Sequence, residues 1–243
     1  MNVKTTAPVY AAAALPLVRS RWLDFLELTK PRITLMVLFT VGIGALLASR
    51  GPLDVWQLLH ALLGTALVAA GASALNQWLE RASDSQMRRT ENRPLPAGRL
   101  NAGEVAVFGF ALGGVGLAYM ALLLIHPLPT ILTAATFFSY VFVYTPLKRK
   151  TTLNTLIGAV PGALPPVIGW TAMTGTLDSL AVVLFLIVFF WQVPHFLAIA
   201  WMYREDYARG GFKMLPALDT DGGATARQML LYSIALLPIS LLP

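Results

Sequence analysis

The sequence predicts an all-α protein, a bundle of helices that crosses a membrane several times. Three observations carry that reading. Of the 243 residues, 56% are hydrophobic and 12% charged, with a mean hydropathy of +0.66; a soluble domain of this size could not hide so much apolar surface. Apolar runs near the ~20 residues a membrane helix needs recur along the chain. Lysine and arginine gather in alternate loops between those runs, the pattern that sorts loops to the inner side of a membrane. The net charge of +6 is explained by that sorting, so no nucleic-acid partner is expected. The absence of cysteine excludes disulfides, thiolate catalysis and Cys-ligated zinc.

Taken in order, residues 1–21 form an N-terminal cytoplasmic segment. It lacks an apolar core ahead of a small-residue cleavage site, and is short and only weakly basic for an organelle transit peptide. This favours a bacterial inner membrane over a mitochondrial one. Residues 22–243 form the intramembrane domain. Trp22 to Glu27 reads as an interfacial segment, and Lys30-Pro31-Arg32 opens the first span, Ile33–Ser49. Arg50-Gly51-Pro52 is the turn into the second span, Val55–Leu79, which a long loop from Glu80 to Asn101 follows. Further spans are Val105–Ile125, Pro129–Tyr144, Leu153–Trp170 and Leu180–Trp201. A seventh begins near Ala226 and is still apolar at Pro243. Gly42-x-Gly44 and Gly113-Gly114-x-Gly116 lie inside spans and read as helix-packing sites. Phe137-Phe138 and Phe189-Phe190-Trp191 read as lipid or core contacts.

The basic residues set the orientation. With the N-terminus inside, the inner loops hold Lys30, Arg32, Arg81, Arg88, Arg89, Arg93, Arg99, Lys148-Arg149-Lys150, Arg204, Arg209 and Lys213, and the other side keeps Arg50. The second span then ends on the inner face, beside the Lys148–Lys150 loop and the loop after Trp201.

Two stretches carry chemistry. The first is Asn76-Gln77-Trp78-Leu79-Glu80-Arg81-Ala82-Ser83-Asp84, running on to Arg93-Pro94-Leu95-Pro96. Asn76, Glu80 and Asp84 are four apart, so on a helix they share one face, drifting about 40° and rising about 6 Å per step. Carboxylate and amide oxygens so arranged suit Mg²⁺, a hard cation that binds through one or two carboxylates and substrate phosphate oxygens. An ordinary interfacial helix end with solvated charges has the same spacing, and both readings stand. The second stretch runs from Pro194-His195-Phe196 through Tyr203-Arg204-Glu205-Asp206-Tyr207 to Lys213-Met214-Leu215-Pro216. It too leaves the membrane on acidic residues and passes basic ones, a faint echo of the first that could reflect an internal repeat. Arg89, Arg93, Lys148, Arg149 and Lys213 could hold phosphates at the shared mouth, or could owe their place to positive-inside sorting alone. His195 could ligate or orient a haem iron, or serve as a hydrogen-bonded packing residue beside a kink at Pro194, the preferred reading.

Asn76-x₃-Glu80-x₃-Asp84 together with Arg89-Thr90-x₂-Arg93-Pro94-Leu95 resembles the first signature of the UbiA-type intramembrane prenyltransferases. Within them Tyr144-Thr145-Pro146-Leu147-Lys148-Arg149, Pro161-Gly162-Ala163-Leu164-Pro165-Pro166, and Pro194-His195-Phe196 with Met214-Leu215-Pro216 are similar to the protohaem IX farnesyltransferases, the haem O synthases. The resemblance covers about residues 22–243. It implies a helical bundle of the UbiA type, typically nine helices, of which this chain shows seven and ends in the seventh. It implies that farnesyl diphosphate, haem b and water are converted to haem o and diphosphate with Mg²⁺ as cofactor. Asn76, Glu80, Asp84 and Asp206 would be the catalytic metal ligands. Arg89, Arg93, Lys148, Arg149 and Lys213 would bind diphosphate, and His195, Tyr203 and Tyr207 would be candidate haem contacts. Haem A synthase or oxidase assembly factors would be partners in the bilayer. Two departures stand out: Glu80 replaces a common aspartate, and the second motif offers Tyr203, Asp206 and Tyr207 in place of two aspartates four apart, which puts a second metal ion in question. The alternatives are a prenyltransferase of the same fold acting on an aromatic acceptor such as 4-hydroxybenzoate, and a transporter. A transporter usually keeps polar residues near mid-membrane, whereas the acidic groups here cluster at one edge.

Overall fold

A computed structural model of the chain describes residues 20–242. Among them the regular elements are all helical: α1 (Arg21–Leu28), α2 (Pro31–Ala48), α3 (Val55–Asp84), α4 (Ala102–Leu123), α5 (Leu128–Phe138), a π-helical segment (Ser139–Tyr144), α6 (Thr145–Leu147), α7 (Asn154–Ala163), α8 (Pro165–Thr174), α9 (Ser179–Met202), α10 (Arg204–Arg209), α11 (Leu215–Leu218) and α12 (Gly223–Ser240). Six stretches are long and apolar enough to cross a membrane: α2, α3, α4, the run Leu128–Leu147, the run Asn154–Thr174, and α9. The protein is therefore a multi-pass membrane helical bundle. The seventh expected span is a helix, α12, packed along α9, but it is not one of those six. The predicted segment 1–21 lies outside the described residues except for Ser20 and Arg21.

Local chemistry sets the ends of the elements. The Asp54 side chain accepts from the Gln57 amide to start α3, and Asp178 does the same for α9 from Ala181. Asn101 and Glu104 close a reciprocal box on the first turn of α4, satisfying donors that helix starts leave free. At Leu164 the Asn154–Thr174 run breaks, where Pro165 and Pro166 begin α8 without backbone N–H groups. Lys30 takes the left-handed conformation (φ 47°) ahead of Pro31, which turns the chain sharply from α1 into α2.

Helix α3 is the axis of the bundle. Its glycines Gly64 and Gly71 meet Gly109, Gly113 and Gly116 of α4, so the backbones approach closely. Helices α2 and α8 do likewise: a Cβ on Gly44 would lie 1.9 Å from the Pro166 carbonyl oxygen, and one on Gly169 as close to that of Val41. The glycine pairs read from the sequence thus divide, with Gly44, Gly113 and Gly116 at contacts and Gly42 and Gly114 facing open space. Phe137 is buried in the bundle, whereas Phe138 and Trp191 lie on its outer surface. Helix α3 continues through Asp84 instead of ending at Leu79, which carries Glu80 and Asp84 on the same continuous helix as Asn76.

Candidate active site

Asn76, Glu80 and Asp84 line one face of the last turns of α3, and all three are buried, at 2%, 6% and 0% exposure. They are not a solvated helix end. Each meets its own cation: Lys30 Nζ donates to Asn76 Oδ1 (3.1 Å), Lys148 Nζ to Glu80 Oε1 (2.7 Å), and Arg93 Nη1 to Asp84 Oδ2 (2.7 Å). Asn76 Nδ2 donates to Thr145 Oγ1 (3.2 Å), just beyond the π-helical segment. The second carboxylate oxygen of Asp84, Oδ1, is buried without a hydrogen-bond partner. A buried carboxylate oxygen left unpaired is costly, and a cation in the pocket would satisfy it.

These side chains surround a cavity of about 350 Å³, shared with Glu27, Arg89, Tyr140, Tyr207 and Phe212. Cations outnumber carboxylates in its lining, as a site for a polyanion requires. Lys30 is removed from water and crowded by Arg93 and Lys148, which lowers its ammonium from 10.5 to about 7 despite Glu80 and Asp84. For Lys148, burial acts in the same downward direction, but the Glu80 carboxylate overcomes it and holds the ammonium above its ordinary value. Lys148 also lies over the Tyr144 ring, 4.7 Å from its centroid.

The second stretch closes the mouth. Asp206 accepts from the Arg89 backbone N–H (3.3 Å) and pairs with Arg209, which keeps its carboxyl below the usual range even though burial opposes this. It thereby ties α10 to the loop after α3 and does not line the cavity. The Arg89 guanidinium lies over Tyr203 and Tyr207, 5.0 and 5.7 Å from their ring centroids. Arg149 is exposed and donates to Ser83. Lys213 is exposed and outside the cavity lining; its backbone N–H donates to the Lys148 carbonyl (2.7 Å), fixing the loop that carries Lys148. His195 is exposed on α9, stacked on Trp191 at 4.8 Å, away from the cavity.

Below the polar pocket lies a second cavity of about 370 Å³, which shares Ile33 and Tyr140 with it. Its lining, including Val37, Val68, Phe137, Pro165, Ile168 and Phe196, contains no charged residue. A polar mouth over an apolar chamber suits a diphosphate with a long hydrocarbon tail. In the sequence Lys30 had only a topological role, Tyr144 stood in a resemblance motif without a role of its own, and Tyr140 was missed. The Lys30-Pro31 step was the available signal for the first; the π-helical turn that presents the tyrosines left no periodic trace.

Fold and site together define a polytopic membrane protein with an acid–base cluster buried over an apolar chamber, and the chain belongs to the UbiA prenyltransferase family, which residues 37–243 match. Among curated relatives, it is 49% identical over 229 residues to a protoheme IX farnesyltransferase of Solibacter usitatus, covering 90% of this chain and 78% of that one. It is 46% identical over 228 residues to the Opitutus terrae protein of the same name, covering 94% and 77%. Its fold is similar to a structure from work on digeranylgeranylglyceryl phosphate synthase (TM-score 0.75, 19% identity, 92% and 77% covered). It is also similar to a UbiA homologue from Archaeoglobus fulgidus bound to GPP and Mg²⁺ (TM-score 0.72, 15% identity, 89% and 76% covered).

Proposed function

We propose that this prenyltransferase moves the farnesyl group of farnesyl diphosphate onto a vinyl group of haem b, with addition of water, to give haem o and diphosphate. The observation that carries the diphosphate chemistry is the buried Asn76–Glu80–Asp84 face with an unpaired Asp84 oxygen, opposed by Lys30, Arg93 and Lys148. The acceptor rests on the identity to proteins named protoheme IX farnesyltransferase.

The residues fit Mg²⁺, and the Archaeoglobus homologue holds that ion with a prenyl diphosphate. Asn76, Glu80 and Asp84 would hold the ion, which would supply positive charge against the leaving diphosphate, and Asp206 would reach a second position from the rim only by releasing Arg89 and Arg209. With the carboxylates engaged by the ion, Lys148 and Arg93, which pair with Glu80 and Asp84 here, would be available to the diphosphate oxygens together with Lys30 and Arg89. Arg149 and Lys213 add positive potential at the rim. The apolar chamber holds the farnesyl tail and shields the allylic cation from bulk water until the vinyl carbon attacks. Tyr203 and Tyr207 lie against the Arg89 guanidinium and would be the haem contacts of this reading, while His195 packs on Trp191. The mouth faces the cytoplasm of a bacterial inner membrane, as the basic loops favour.

Product mass tests the acceptor. Purified protein in liposomes, given haem b, farnesyl diphosphate and Mg²⁺, is expected to yield a haem carrying a hydroxyethylfarnesyl group. Unmodified haem, beside prenylated 4-hydroxybenzoate in a parallel incubation, would move the acceptor to an aromatic ring.

A further inference from the structure

Gln192 stands out in the apolar chamber. It lies on α9, is 4% exposed, and its Nε2 is buried without a hydrogen-bond partner. The carboxamide rests against Gly162 of α7, where a Cβ would lie 2.1 Å from Gln192 Oε1. A methyl group at that position would displace the amide. Thr65 Oγ1, also buried and unpaired, opens on the same chamber from α3. Buried amide donors are nearly always satisfied, so this one marks a place for a ligand atom.

The proposed reactants narrow what that atom can be. A farnesyl chain has no hydrogen-bond acceptor. The acceptors of a porphyrin edge are carboxylates, and no charged residue lines the chamber to meet one. Water is left, and the proposed reaction consumes one. A buried water needs at least two polar partners. The amide would supply one and the unpaired Thr65 hydroxyl on the same chamber a second, while Thr133 and Thr136, whose hydroxyls donate to the Pro129 and Leu132 carbonyls, have only acceptor capacity to add.

We infer that Gln192, seated on Gly162, holds the water that completes haem farnesylation, an inference that rests on the function proposed above. The C1–O bond of farnesyl diphosphate breaks and its electron pair leaves on the diphosphate. The vinyl π pair forms the new bond from the terminal vinyl carbon to C1, which leaves positive charge on the inner vinyl carbon. A lone pair of the held water closes on that carbon, and the surplus proton passes to the departing diphosphate. When no water is held there, the same cation sheds a proton from an adjacent carbon and gives an alkene lighter by one water. Gln192 is thus a positioning residue that decides between two products.

The test is the ratio of hydrated to anhydrous farnesylated haem, read by mass spectrometry alongside diphosphate release. Gln192→Met keeps the side chain's bulk and removes the amide donor and acceptor. It is expected to retain Mg²⁺-dependent diphosphate release while the ratio falls by about tenfold, the size of one lost hydrogen bond at a reacting group. Gly162→Ala displaces the carboxamide and should shift the ratio the same way, and it decides the matter if Gln192→Met releases no diphosphate. A wild-type ratio in an active variant overturns the inference and leaves the proposed function standing. Failure of the wild type to farnesylate haem removes both.

Discussion

At the end of α3 the pocket brings Asn76, Glu80 and Asp84 each against a cation, largely out of water. Breaking one buried pair there should cost far more than on a surface, because the survivor is left charged and unsolvated. Lys148→Met strands Glu80 and should lower stability by about 3 kcal/mol, whereas Lys148→Met with Glu80→Gln should recover most of that loss. Thermal unfolding of the three forms in one detergent checks this, and equal melting temperatures for the single and double variants would rule out the buried pair. The four-residue spacing of Asn76, Glu80 and Asp84 was legible because a helix maps it directly onto one face. Lys30 was not, because its reach to Asn76 depends on a left-handed turn between α1 and α2. Asp206 was legible as a carboxylate near the mouth, but its hold on the Arg89 backbone follows from how the loop after α3 folds back over α10.

Between elements, close packing of small residues takes the place that hydrophobic burial has in water. Gly44 and Gly169 each leave no room for a Cβ beside a backbone oxygen of the facing helix. Gly44→Ala and Gly169→Ala should therefore each destabilise the bundle by about 2–3 kcal/mol through forced separation of α2 and α8. Gly42→Ala and Gly114→Ala face open space and should be neutral or stabilising by up to about 1 kcal/mol, from helix propensity. A common loss in all four variants, measured by unfolding in detergent, would show that the α2–α8 contact is not what constrains these positions. The six spans were readable from length and apolarity alone. The π-helical segment was not, since hydropathy reads Leu128–Leu147 as one uninterrupted run. Nor was the break at Leu164, where the proline pair separates α7 from α8 inside a single span.

For the molecule as a whole, the arrangement is a bundle around α3 with a charged pocket at one end and an apolar chamber beneath it. The ends of α3, α6 and α10 converge on that pocket, as the distribution of basic residues implied. On the proposed function, the α3 carboxylates and their cations run a Mg²⁺-dependent release of diphosphate. The direct measurement is the rate of diphosphate release from farnesyl diphosphate in the presence of haem b, titrated with Mg²⁺, for wild type and Asp84→Asn. Asp84→Asn keeps the shape of the side chain and removes the charge beside the unpaired Oδ1 position. The wild-type rate should rise with Mg²⁺ and vanish with chelator, and the variant should be slower by about two to three orders of magnitude, the scale of one lost electrostatic contact to a leaving group. An Asp84→Asn protein with the wild-type rate and the same Mg²⁺ dependence would contradict it.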